Sequence, residues 1–182
     1  MSLSLAGDGE ITGFDAVASG FGGLVAVKHA LFTGTQTNST AAGANFAVTD
    51  LSITHTLSDS SNKLIVSAYI GVAGNSFQHG NVGIAVADNG TLIGVGDADG
   101  NRTRVAAGGF VSHPDQSALV VTMPSVTFVY APGDTNSHTY TVRAVNTLAA
   151  TETVYINRAE SDTDSGSRTR GSSGFVIQEV KV

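Results

Sequence analysis

The chain reads as an all-β protein, a sandwich or jelly roll of about eight to ten antiparallel strands behind an extended N-terminal arm. Hydrophobic side chains recur with period two almost everywhere and with the helical period almost nowhere. Turn-forming runs punctuate the chain at short intervals: Ser58-Asp-Ser-Ser-Asn62, Asp88-Asn-Gly90, Asp97-Ala-Asp-Gly-Asn101 and Ala131-Pro-Gly-Asp134. The 182 residues include 22 glycines and are 41% hydrophobic, with abundant Thr, Ser, Asn and Val. That is enough apolar material for a core, in a chain built for short strands and tight turns.

Taken in order, the first segment stands apart. Leu3, Leu5, Ile11, Phe14 and Phe21 are set among Gly7, Gly9, Gly13, Gly20, Gly22 and Gly23 without a sustained period. Such a stretch cannot build its own core, yet it is too apolar for a freely solvated tail. Residues 1–24 are therefore read as an attachment arm that orders on a partner surface, with those five side chains as docking anchors. Residues 25–182 form one domain. The plainer alternative is an extra strand packed on that same domain.

The strands follow. Leu51, Ile53 and Leu57 alternate with Ser52, Thr54 and Thr56; Leu64, Val66, Ala68 and Ile70 alternate with Lys63, Ser67 and Tyr69, broken by Ile65. Val82, Ile84 and Val86 come next, then Leu119 to Met123, Val126 to Tyr130, the alternating Tyr140, Val142 and Ala144, and Val154-Tyr-Ile156. The final run, Phe175-Val-Ile177 within Phe175–Val180, is apolar in succession, the pattern of a strand buried on both faces. It follows an Arg/Ser/Gly tip, Ser165-Gly-Ser-Arg-Thr-Arg-Gly-Ser-Ser-Gly174. A central strand this late in the chain closes the sheet only when it is in place, so truncating it is expected to unfold the domain.

Composition bounds the chemistry. With no cysteine there is no disulfide framework and no thiolate ligand or nucleophile. A net charge of −6 supplies no basic face for phosphate backbones, so no nucleic-acid partner is expected. The opening Met-Ser-Leu-Ser-Leu-Ala-Gly-Asp-Gly-Glu has neither a basic run nor an apolar run and is not read as a signal peptide. No stretch approaches the ~20 apolar residues of a membrane span. The expectation is a soluble protein, intracellular or assembled inside a cell.

No enzyme is expected. Gly171-Ser-Ser-Gly174 lacks the spacing of a nucleophile elbow and opens a strand, and the histidines (His29, His55, His79, His113, His138) are scattered, without a zinc motif. His55 falls on the apolar face of its strand and reads as a core or interface histidine. Asp97, Asp99 and Asn101 offer alternate oxygens, but the glycine and glutamate of a calcium loop are missing, so the segment reads as an Asp-Gly turn. No metal or cofactor is predicted. Glu160, Asp162 and Asp164 beside Arg158, Arg168 and Arg170 read as a loop held by exposed ion pairs worth about 0–1 kcal/mol each. Asn38, Asn89 and Asn101 begin Asn-x-Ser/Thr triplets, read as chance in so Asn-, Ser- and Thr-rich a chain.

The strand motifs in order carry a resemblance. Val25-Ala-Val-Lys-His29, Leu51-Ser-Ile-Thr54 and Ser60-Ser-Asn-Lys-Leu-Ile-Val66 are followed by Val126-Thr-Phe-Val-Tyr-Ala-Pro-Gly-Asp134 and His138-Thr-Tyr-Thr-Val-Arg143. Thr153-Val-Tyr-Ile-Asn-Arg158 and Gly174-Phe-Val-Ile-Gln-Glu179 complete the set. Over residues 25–182 the chain resembles a recurring domain of tailed-bacteriophage virion proteins, found in fibres and head-associated proteins. Leu3-Ser-Leu-Ala-Gly-Asp-Gly-Glu-Ile-Thr-Gly13 is similar to short N-terminal segments of such proteins. The resemblance implies a homotrimeric jelly roll of the tumour-necrosis-factor and complement type, displayed on the virion surface. Because no coiled coil, collagen repeat or shaft precedes the domain, a short knob or decoration protein fits better than a long fibre.

Three readings follow. One is a virion structural protein whose arm docks on capsid or tail proteins. Another is a receptor-binding module whose loops touch host-surface glycans, with Asp97, Asp99, Asn101, Arg102, Arg104, Arg168 and Arg170 as contacts. The third is a cellular trimeric ligand of the complement type. Tyr140, Val142 and Tyr155 are expected at the threefold contact, since apolar and aromatic strand faces beyond the core need a cover. The alternative is that they fill the monomer core.

Overall fold

A computed structural model describes residues 4–5, 11–12, 23–74, 82–108, 121–166 and 168–182. Among them there is no helix and there are fourteen strands. In chain order they are β1 (Ser4–Leu5), β2 (Ile11–Thr12), β3 (Leu24–Phe32), β4 (Gln36–Thr40) and β5 (Asn45–Thr56). Then come β6 (Lys63–Tyr69), β7 (Val72–Gly74), β8 (Val82–Asp88), β9 (Thr91–Ile93) and β10 (Ala107–Gly108). The last are β11 (Ser125–Tyr130), β12 (Ser137–Asn146), β13 (Glu152–Ile156) and β14 (Ser173–Val180). The periodicity undercounts the strands because pieces of two or three residues are too short to display a period. The expected strand at Leu119–Met123 begins outside the described residues; within them Thr122 makes a single antiparallel bridge to Val72.

All pairings are antiparallel. One sheet runs β11-β6-β14-β3 and another β10-β8-β12-β5, with β9 also on β8; a third joins β4-β13-β7. The pairing is nested. Among the long strands the first meets the last (β3 with β14), the second the last but one (β5 with β12), and the third the last but two (β6 with β11), while β8 in the middle pairs with its own hairpin partner β9. The chain is thus folded as one long hairpin wrapped into two layers.

One apolar core lies between these layers. Leu64, Val66, Phe175 and Ile177 project from one side, and Leu51, Ile84, Tyr140, Val142 and Ala144 from the other. Each fully buried large side chain contributes about 1.5–3 kcal/mol relative to exposure. Tyr140 and Val142, expected at an interface between copies, are therefore core residues: they are 1% and 0% exposed and offer no surface to a second chain. Their period-two alternation faces them inward, and the facing sheet covers them.

The terminal strand is central, as its sequence predicts, lying between β6 and β3. Burial on both of its faces is not found. Phe175 and Ile177 are buried, whereas Val176 points the other way and is half-buried. Its apolar character belongs to a sheet whose outer face is itself apolar.

In the opposite sheet β8 alone is buried on both faces throughout, while Ser52 and Thr54 of β5 and Thr139 of β12 stay exposed on its outside. Every residue of β8 is buried, and the segment that leads into β10 lies against its outer face at Gly83. Gly83 shows how closely: a Cβ there would lie 2.4 Å from Val105 Cγ1. Ala85 and Ala87, the other small residues on that face, are also buried.

β5 carries a bulge opposite β12, where Thr141 pairs with Ser52 but Arg143 with Ala47. Asp50 takes φ 58° there. The Gln36 side chain holds the bulge, its Nε2 donating to Ala47 O at 3.1 Å and its Oε1 accepting from Thr49 N at 2.8 Å. The extra residues let both Val48 and Leu51 point inward.

Candidate functional site

Alternation along β3, β14, β6 and β11 sends one set of side chains to the core and the other to the outside of their sheet. The outside set is Val25, Val27, His29 and Leu31 from β3; Val176, Gln178 and Val180 from β14; Lys63, Ile65, Ser67 and Tyr69 from β6; and Ser125, Thr127 and Val129 from β11. Most of the large hydrophobic side chains that the described residues expose sit on this sheet: Leu24, Val25, Val27, Leu31, Tyr69 and Val129. Val129 is 63% exposed, Leu31 57% and Val27 50%. Among the described residues, Lys63 at the end of β6 is the only Lys, Arg, Asp or Glu of the outward set. A face of this kind, apolar and nearly uncharged on a sheet with its own filled core, marks an interaction surface.

Tyr69 shapes its middle. A Cβ on Gly174 would lie 2.6 Å from the Tyr69 ring, so the ring lies across β14 where that strand has no side chain. Beside it runs a groove of about 470 Å³ bordered by His29, Leu31, Ser67, Thr127 and Val176. Lying along the sheet, the Tyr69 ring fills the space above Gly174 and does not stand out from the face.

The other predicted residues fall into two loops. Arg102 is ion-paired with Asp99, and Arg104 Nε donates to Gly96 O at 2.6 Å. Asn101 and Arg102, with Gly43, Thr103 and Leu148 nearby, border open polar grooves. Asp97 is exposed. The described residues hold no group of three or more His, Asp or Glu placed to share a metal ion.

In the second loop Arg158 is engaged within its own chain. Its NH1 donates to Ala159 O at 3.1 Å and Glu160 O at 3.0 Å, its NH2 to Thr37 Oγ1 at 3.0 Å, and its guanidinium lies 4.4 Å over the Tyr155 ring. Tyr155, the third residue expected at a threefold contact, is thus half-buried beneath an arginine of its own chain. Burial raises the pKa of its hydroxyl, Glu160 adds to the rise and Arg158 opposes it. Arg170 NH2 bonds Asp162 Oδ2 at 2.7 Å, and Arg168 Nε donates to Ser161 Oγ at 3.3 Å. The expectation of a loop held by ion pairs fits these contacts.

Of the arm, only two pieces of backbone are described: Leu5 pairs in register with Ile11 between β1 and β2. Leu3, Phe14 and Phe21 lie outside the described residues, as do His79 and His113.

His55 is a core histidine. It is 7% exposed, and its Nε2 lies 2.9 Å from Glu179 Oε2. Its partner Glu179, not among the residues singled out from the sequence, is a carboxylate 2% exposed on the inner face of β14. Its Oε1 accepts from Ser58 N at 2.8 Å, Ser58 Oγ at 2.7 Å and Asn62 Nδ2 at 2.6 Å. Burial alone would raise its pKa; the hydrogen bonds from Asn62, Ser58 and His55 reverse that and hold it down at about 2. A period-two count already put Glu179 in phase with Phe175 and Ile177, the one signal that could have found it. Compared with known proteins, the chain matches no family model and no curated protein.

Proposed function

We propose that this chain is a structural protein of a tailed-phage virion surface, whose arm docks on capsid or tail proteins and whose domain stands outward as a homotrimeric jelly-roll knob. The observation that carries the reading is the apolar, nearly uncharged outer face of β11-β6-β14-β3. The exposed outward side chains of the other sheet are polar (Ser52, Thr54, Thr139), whereas on this one Val27, Leu31 and Val129 are exposed among the described residues. The nested pairing of first strand with last supports the jelly roll, since two interlocked Greek keys pair their strands in that order. The order of strand motifs supports the virion context.

In this reading the contact between copies moves from Tyr140, Val142 and Tyr155 to Val27, Leu31, Tyr69 and Val129. Burying each of these large side chains contributes up to about 1.5–3 kcal/mol, offset by the cost of association. The lack of charge leaves nothing to repel an identical face. Three arms on one trimer make the second and third docking events intramolecular, so weak single arms hold firmly together.

Light scattering on the full chain tests the assembly. A trimer is expected, with Val27→Asp together with Val129→Asp giving a monomer of unchanged β-sheet circular dichroism. A monomeric wild type would remove the knob. Docking is tested separately by binding to undecorated particles, which deletion of residues 1–24 is expected to abolish; unaltered binding would sink the arm's role.

The open grooves beside Asn101, Arg102 and Thr103 favour a second reading, contact with host-surface glycan through that loop. Arg102→Ala with Asn101→Ala is then expected to lower binding to host polysaccharide while leaving the oligomer intact.

A further inference from the structure

His138 stands at the start of β12, at one end of the core, with a carboxylate on each ring nitrogen. Nδ1 lies 2.7 and 2.8 Å from the two Asp88 oxygens, and Nε2 lies 3.0 Å from Asp134 Oδ1. A neutral imidazole has one N–H and one lone pair, so only the doubly protonated ring donates to both acids. The two acids come from different places. Asp88 ends β8 and is buried; Asp134 lies in the turn between β11 and β12, with its side chain 43% exposed. Among the described residues no lysine or arginine bridges either one.

The other titratable groups around the ring are settled. Tyr130 of β11 donates its hydroxyl to Asp88 Oδ2 at 2.9 Å, and Tyr140 of β12 stacks on the imidazole at 5.9 Å between centroids. On β5 the register partner of His138 is His55, which is already engaged with Glu179 of β14. Within the turn, Asp134 Oδ1 also accepts from Asn136 N at 2.7 Å.

We propose that His138 is a proton-operated clasp for the turn at residues 131–136: the imidazolium ties Asp134 to Asp88 across the end of the domain, and loss of one proton releases the turn. The neutral ring keeps its N–H toward Asp88, because that carboxylate is buried and water cannot replace the donor, whereas Asp134 is exposed enough to be hydrated. The clasp is then closed in mildly acidic solution and opens as pH rises. Both acids raise the pKa of the imidazole, Asp134 more than Asp88, against a smaller opposing effect of burial.

The test is a pH titration of the full chain by two-bond ¹H–¹⁵N NMR of the histidine rings, from pH 5 to 10. His138 is expected to lose its proton above the ordinary 6.5 of a histidine, leaving the Nδ1–H tautomer. Backbone amides of residues 133–136 should titrate with the same midpoint and exchange faster above it. Asp134→Asn, an exposed change that spares the core, should lower the midpoint; His138→Gln should make the turn amides indifferent to pH. A His138 midpoint at or below 6.5, a midpoint unmoved by Asp134→Asn, or turn amides flat across the His138 titration would each overturn the clasp.

Discussion

Glu179 carries a charge into the core, and its surroundings show why the fold tolerates it. Four donors from His55, Ser58 and Asn62 replace its water, and they come from β5 and from the β5–β6 turn, so one residue of the last strand pins the opposite sheet. Because its folded pKa is depressed, its contribution to stability is complete above the unfolded value of about 4.5 and is lost as pH falls toward about 2. His138 works in the opposite direction. Its raised pKa adds stability that is complete below about 6.5 and is lost as pH rises through the folded value. Thermal melts across pH are therefore expected to peak between roughly 4.5 and 6.5. Glu179→Gln should flatten the acid limb and cost about 1–3 kcal/mol at neutral pH, since an amide cannot accept from all the donors.

Asp50 is a second residue-scale case. It is exposed and sits at φ 58°, a conformation that costs an ordinary L residue about 1–2 kcal/mol. Asp50→Gly is expected to leave stability unchanged or raise it slightly, and Asp50→Val to lower it by about that amount. Urea midpoints of the two variants check this, with no change in either assigning the bulge to some other support.

At the scale of elements, β8 depends on the segment folded over it. Small residues at Gly83, Ala85 and Ala87 admit that cover, and Val105 fills the space above Gly83. Gly83→Val would push against the Val105 side chain and against Ala107 O at 3.2 Å, a collision with backbone that a rotamer change does not relieve. A loss of about 1–3 kcal/mol is expected, with residues 94–106 becoming accessible to protease. An intact segment at full stability would show that the cover is loose.

The same scale shows how far strand patterns can be read. The placement of β14 was legible because Phe175 and Ile177 alternate around an apolar Val176 in a run that no solvated edge would carry. Val176 itself is only half-buried, since period two sorts side chains into two faces but does not say which face belongs to the core of the same chain. Tyr140 and Val142 show the converse error. Their strand and their face are as read, but they fill the core of their own chain, where Tyr140 meets Tyr130 of β11 edge-on.

For the whole molecule, nested pairing makes the last strand a keystone. Without β14, both β6 and β3 lose a neighbour, and Leu64, Val66 and Ala30 lose the cover of Phe175 and Ile177. Deleting residues 173–182 is expected to abolish the cooperative thermal transition, whereas deleting residues 1–24 should spare it. A truncated chain that still melted cooperatively would mean the remaining strands close without their final member.

By itself, the amino-acid order determined the all-β class, the main strands and their turns, and the central place of the C-terminal strand. Each of these follows from local steric preference and alternation, which neighbours in sequence decide. Only the tertiary structure decided that Glu179 meets His55, Ser58 and Asn62, that His138 stands between Asp88 and Asp134, and that one sheet keeps an apolar outer face. Those are pairings between residues about fifty to well over a hundred positions apart in most cases, and they depend on which strand the nested fold lays against which.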